Sequence, residues 1–140
     1  MQITHQADYA IRAIHYLAAA GPEERVSTSQ IAEAYQIPSS FLTKIIAQLS
    51  VAGIIRTSRG ARGGVTLARP PEEISILEVL EAIDGPVTVN ECVEDPDSCP
   101  FTESCTVHNF WQEVRDELTA RLKNTTFDKL VKNGAAMAMA

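Results

Sequence analysis

Three cysteines and a histidine stand within 17 residues: Cys92, Cys99, Cys105 and His108. No other cysteine occurs in the chain. Thiolates and imidazole are soft, electron-rich donors, suited to a metal ion or an iron–sulfur core. The chain between them is acidic and turn-forming, with Asp95-Pro96-Asp97-Ser98 and then Pro100. Structural zinc sites pair their ligands two to four residues apart, because a tight turn presents both to one tetrahedral ion. Here the gaps are six, five and two residues, which better suits a loop wrapped around a larger inorganic core. Cys105 and His108 lie three apart at a predicted helix start, so they share a face. His108 is then either a fourth ligand or a polar residue on the rim of that helix. The three thiols also suit a second chemistry, a switch that forms disulfides under oxidation. Their odd number argues against a closed disulfide framework.

The elements that must position these groups follow from periodicity. Residues 6–20 place Ala10, Ile11, Ile14, Leu17 and Ala18 on one helical face, and Gly21-Pro22 ends that helix. Asp8 falls in its first turn, where a carboxylate is favoured by the helix dipole. Ser27 and Gln30 have capping-box spacing and open a second helix, with Ile31, Ala32 and Tyr35 inward. After Gln36-Ile37-Pro38, Ser39 and Ser40 signal a third helix, buried through Leu42, Ile45, Ile46 and Leu49. Ser40, Phe41, Thr43, Lys44, Ala47 and Gln48 are left on or near its outer side. Two short helices joined by a tight turn form a helix-turn-helix candidate.

Gly53 closes the third helix. Residues 54–58 and 65–68 read as strands flanking Arg59-Gly60-Ala61-Arg62-Gly63-Gly64, a hairpin tip whose arginines suit a narrow, electronegative minor groove. The expected fold is mainly α, a winged helix-turn-helix with a two-stranded wing, a cysteine loop and a long C-terminal dimerisation helix. Pro70-Pro71 divides a DNA-binding unit, 1–70, from a region over 71–133 holding a connecting helix, the cluster loop and the dimerisation helix. The connecting helix follows a Ser75–Glu78 capping box, with Ile76, Leu77, Leu80 and Ile83 inward. The long helix, from about Thr106 to Lys123, carries an apolar stripe of Val107, Phe110, Trp111, Val114, Leu118 and Leu122. That stripe suits a symmetry mate. A short last helix ends at Asn133-Gly134, and 134–140 is expected to be a disordered tail.

Charge divides the same way. Residues 1–70 carry seven Lys/Arg and four Asp/Glu, whereas 71–140 carry five and fourteen. The net charge of −6 therefore hides a basic half in which Lys44, Arg56, Arg59 and Arg62 can face phosphate. No nucleophile, base and orienting acid stand at informative spacing, and no phosphate-binding glycine loop precedes a Lys-Ser/Thr, so an enzyme with a small-molecule substrate is not expected. No apolar run has membrane-spanning length. The start lacks the basic and apolar regions of a signal peptide, so the expected compartment is the cytoplasm.

The wing SRGARGGVTLA, the helix SILEVLEAIDG and the C-x6-C-x5-C loop, in this order, resemble the Rrf-type bacterial transcription regulators over residues 1–133. That family includes iron–sulfur regulators of the IscR and NsrR types, and the segments CTVHNFW and LKNTTFDKLV look most like the former. The resemblance implies a homodimer that binds double-stranded operator DNA and senses an iron–sulfur cluster. It assigns Cys92, Cys99 and Cys105 as cluster ligands. The fourth ligand is His108 for a [2Fe–2S] cluster, or Asp8 of the other subunit for a [4Fe–4S] cluster. It assigns the reading end of the recognition helix to Ser40, Phe41, Thr43 and Lys44 and the wing contacts to Arg59 and Gly60; Ser39 is a further DNA-binding candidate, and Ser27, Thr28 and Gln30 can hydrogen-bond phosphate at the start of the second helix. The expected function is a repressor of iron–sulfur biogenesis, iron or nitric-oxide/redox response genes, with a cluster-free thiol switch as the alternative.

Overall fold

Thr4 opens the first helix, α1 (His5–Ala20), by accepting the Ala7 N–H at 3.1 Å. Its hydroxyl also donates to Asp84 at 2.8 Å and so ties the start of α1 to the end of α4 (Ile76–Asp84). The computed structural model describes residues 2–61 and 63–139, and of 135–139 the backbone alone. Ala7, Ala10, Ala13, Ile14 and Leu17 form the buried face of α1. Three alanines on that face let neighbouring helices approach closely, and α4 packs on it together with the helices Ser39–Val51 and Phe127–Met139. Ile11 and Ala18, expected on the same face, are only partly buried.

Helix α2 (Thr28–Tyr35) has the full expected capping box: Gln30 N–H donates to Ser27 Oγ, and Ser27 N–H donates to Gln30 Oε1. Gln36 then takes a left-handed conformation, φ 53°, alone among the described non-glycine residues. That one residue turns the chain into α3 (Ser39–Val51), whose buried residues are the expected Leu42, Ile45, Ile46 and Leu49. Pro38 rather than Ser39 occupies the cap position, and no side chain caps this helix. Ser39 is already the first helical residue.

The wing pairs β1 (Ile55–Ser58) with β2 (Gly64–Leu67) antiparallel, in register Ile55↔Leu67 to Ser58↔Gly64. Val26 adds an unforeseen rung by bridging Val65. It does so because Gly64 has no side chain: a Cβ there would stand 2.9 Å from the Val26 carbonyl oxygen.

After Pro70 the chain makes a single turn and enters α4, capped by Ser75, which accepts the Glu78 N–H at 3.2 Å. The expected box is half made, since the Glu78 carboxylate pairs with Arg69 instead. Val79 and Leu80, with Ile74 just before the helix, are its most buried residues, so the inward face is rotated from the expected one. Ile74, Val79 and Phe127 join the apolar cluster formed by α1, α3 and the wing. One core therefore extends across the Pro70-Pro71 boundary.

A one-turn helix, α5 (Glu91–Glu94), leads into the cysteine segment. Helix α6 (Thr106–Asn124) follows, and 19 residues at 1.5 Å each make it about 28 Å long. Its far end is fastened back to the head: Ile76 N–H donates to Thr125 O, and Phe127 N–H donates to Ile74 O. Phe127 is fully buried and is the largest such side chain among the described residues. It begins α7 (Phe127–Met139). This helix does not stop at Asn133-Gly134, and the tail expected to be disordered is helical in backbone to Met139. Alanine and methionine are strong helix formers, and one internal glycine costs only about 1 kcal/mol.

Candidate nucleic-acid interface and thiol cavity

The head presents the expected polar residues on one helix and one hairpin. Ser39, Ser40, Phe41, Thr43 and Lys44 are exposed along the first turns of α3. Ser27 and Gln30 are exposed at the start of α2, and Thr28 is half-buried. The side chains of Ser27 and Gln30 are engaged in the capping box, which leaves the Ser27 hydroxyl proton free to donate. Arg56, Arg59 and Gly60 are exposed on the wing, with Gly60 at φ 99°, a backbone that other residues rarely adopt. Arg62 lies outside the described residues. Among the described residues, Lys44, Arg56 and Arg59 form no ion pair, so their charge is available to a polyanion. Gln48, expected outside, is half-buried, with Oε1 sealed from solvent.

Each cysteine stands at the edge of a turn held by local hydrogen bonds. Cys92 lies in α5, whose start is capped by Asn90 Oδ1 accepting the Glu91 N–H at 2.9 Å. Cys99 follows a turn in which Asp95 accepts the Asp97 N–H at 3.1 Å. The Thr102 hydroxyl donates to the Cys99 carbonyl oxygen at 3.0 Å. Cys105 is the N-cap residue of α6. All three are free thiols of intermediate exposure, and with His108 and Trp111 they line one cavity of about 280 Å³. His108 is the one buried residue on α6, 7% exposed, rather than a rim residue. Its Nδ1 is sealed from solvent and has no hydrogen-bond partner.

These donors are not a preformed ligand set. Among the described residues, no three His, Cys, Asp or Glu side chains are grouped to hold a metal ion. The donor chemistry and the unpartnered His108 suit a cluster, but the spacing as folded does not. Asp8 does not line the cavity. It is half exposed and pairs with Arg12 at 3.0 Å, which holds the Arg12 guanidinium above its usual range. Arg12 in turn lies over the Tyr35 ring, 5.8 Å from its centroid. A cavity of about 860 Å³ lies between the end of α1 and the wing, at Arg56, Arg69 and Glu72, and includes none of the cysteines.

The family model described as an iron-dependent transcriptional regulator, Rrf2, matches residues 3–133. The chain belongs to the Rrf2 family. It is 34% identical to the transcriptional regulator NsrR of Bacillus subtilis over 95% of this chain and 92% of that one. The structure of CymR, the global cysteine regulator of B. subtilis, superposes with a TM-score of 0.79 at 25% identity, covering 95% of this chain and 98% of that one. The T. potens IscR structure shares the fold, with a TM-score of 0.81 at 24% identity, over 100% of this chain and 93% of that one. As an Rrf2 protein the chain is a winged-helix, DNA-binding transcription regulator, not an enzyme. Among the described residues, no helix is long and apolar enough to cross a membrane.

Proposed function

We propose that this Rrf2 protein is a homodimeric, cytoplasmic repressor whose affinity for operator DNA is set by the oxidation state of Cys92, Cys99 and Cys105. The observation that carries this reading is the convergence of all three thiols on one cavity at the start of α6. A disulfide needs only two sulfurs to meet, whereas a metal or cluster needs three or four donors in a set geometry. With hydrogen peroxide as oxidant, two thiols give up two protons and two electrons, one S–S bond forms, and the O–O bond breaks to leave two waters.

Coupling to DNA runs through α6. Cys105 caps its first turn, and about 28 Å away its last turn is fastened to the head at Ile74 and Ile76. Drawing Cys105 towards a second thiol would tilt that strut and, with it, the angle between two heads. The second copy covers the stripe on α6, where Val107 and Phe110 are more than half exposed and Val114, Leu118 and Leu122 partly so. Each head places α3 in the major groove of one half-site, the two lying about 34 Å or a multiple apart. Arg59 and Gly60 reach the minor groove. Ser27, Thr28, Gln30, Arg56 and Arg62 meet phosphate.

A second reading is favoured by His108. Its buried, unpartnered Nδ1 faces cost without a partner, and a metal would satisfy it. In that reading the three cysteines hold an iron–sulfur cluster, with His108 as fourth ligand for [2Fe–2S] or Asp8 of the other subunit for [4Fe–4S]. The loop would have to contract around it.

Purification without oxygen separates the two readings. A colourless protein with three titratable thiols, free of iron and sulfide, whose operator affinity changes on mild oxidation, supports the thiol switch. A brown protein with stoichiometric iron and sulfide supports the cluster.

A further inference from the structure

The outer side of α3 offers carbon where a reading helix often offers charge. Its sequence, SSFLTKIIAQLSV, contains no Asp, Glu or Arg. Thr43 donates its hydroxyl to the Ser39 carbonyl oxygen at 2.9 Å, so that proton is held within the helix and the methyl group is left for a partner. Ala47, four residues on, shares that face and is also exposed. Phe41, at the N-terminal rim, is 43% exposed. Its ring is not loose: Tyr9 of α1 lies against it at 6.4 Å between centroids, and His5 lies 6.2 Å from Tyr9.

Each base presents a different group in the major groove. Cytosine offers an N–H donor there, which needs an acceptor such as Glu or Asp. Guanine offers two acceptors, met best by Arg or Lys. Thymine offers a C5-methyl group, which is met by carbon. Lys44, the one charge on α3, can meet guanine or a phosphate. The positions under Thr43 and Phe41 have no charged side chain to read them.

We propose that the Thr43 methyl group and the Phe41 ring read thymine C5-methyl groups, so that each operator half-site is specified by thymine at those two positions. This rests on α3 entering the major groove. Ala47 widens the same apolar surface, and Tyr9 acts as a positioning residue that fixes the Phe41 ring.

The test uses the full-length, reduced protein and duplexes selected by it from a random-sequence library. Thymine in the selected half-sites is then replaced, one position at a time, by deoxyuridine, which differs only in lacking the methyl group. Loss of one buried methyl, about 0.8 kcal/mol, corresponds to roughly fourfold weaker binding. The expected result is a loss of that size at two positions per half-site. In Thr43→Ser the distinction between thymine and deoxyuridine should vanish at one of them. Thr43→Ser should also bind more weakly than Thr43→Val. Half-sites without thymine, or equal affinity for thymine and deoxyuridine throughout, would overturn the proposal while leaving operator binding intact. Thr43→Val binding more weakly than Thr43→Ser would show the hydroxyl to be the reader and overturn it as well. Failure to select any duplex would overturn the operator reading itself.

Discussion

Between Ala7 and Leu80, every α-helix and strand turns at least one side chain into a shared apolar core. Between Thr88 and Val107 the only buried side chain is Thr102. The head is held by nonlocal burial, the cysteine segment by turns whose hydrogen bonds span four residues or fewer. Charge differs too, since the head is basic and the segment acidic. Regions with few buried apolar contacts open locally at low free energy. A rigid reader joined to a loosely packed thiol segment is suited to keep its DNA-binding shape while the segment changes its bonding.

The two regions should differ most in stability. Phe127→Ala should cost about 3–5 kcal/mol and Ile45→Ala about 2–5 kcal/mol, read by urea denaturation. Phe101→Ala, at a side chain 68% exposed, should shift stability by less than about 0.5 kcal/mol. A comparable loss at both places would mean that the segment is packed after all.

In binding, Arg59→Ala should weaken operator affinity and lower the slope of log K against log salt by about 1. Cys99→Ser should leave that slope unchanged, because it alters no charge on the head. Gln36→Gly should stabilise the head by about 0.5 kcal/mol, since a non-glycine left-handed residue is strained and glycine is not.

The smallest effect is one of pH. Thr126 donates its hydroxyl to Asp128, and this bond lowers the carboxyl below its usual value. A depressed carboxylate adds stability above the unfolded value, lost as pH falls through the lower folded one. Stability of the protein and of Thr126→Ala should therefore differ at neutral pH and converge in acid.

What could be read in advance follows the same division. The Ser27–Gln30 box, the Gly21 stop and the wing were legible because each is local chemistry. The buried face of α3 was legible because its period is strong. Val79 and Phe127 were not placed at the centre of the core, because that depends on where α4 and α7 land on α1. Val26 was missed for the same reason, as its rung needs a wing already folded beside it. At the site, the three cysteines were legible as a group from spacing. The burial of His108 was not, because a residue at a helix start reads alike on either face until its neighbours are placed. Nor was the open spacing of the donors.

Operator affinity, measured before and after mild oxidation of iron-free protein purified without oxygen, tests the central claim. Oxidation should change the affinity of the wild-type chain by about tenfold or more, reversibly with dithiothreitol, and not at all when Cys92, Cys99 and Cys105 are all replaced by serine. Loss of the titratable thiols with no change in wild-type affinity would contradict it.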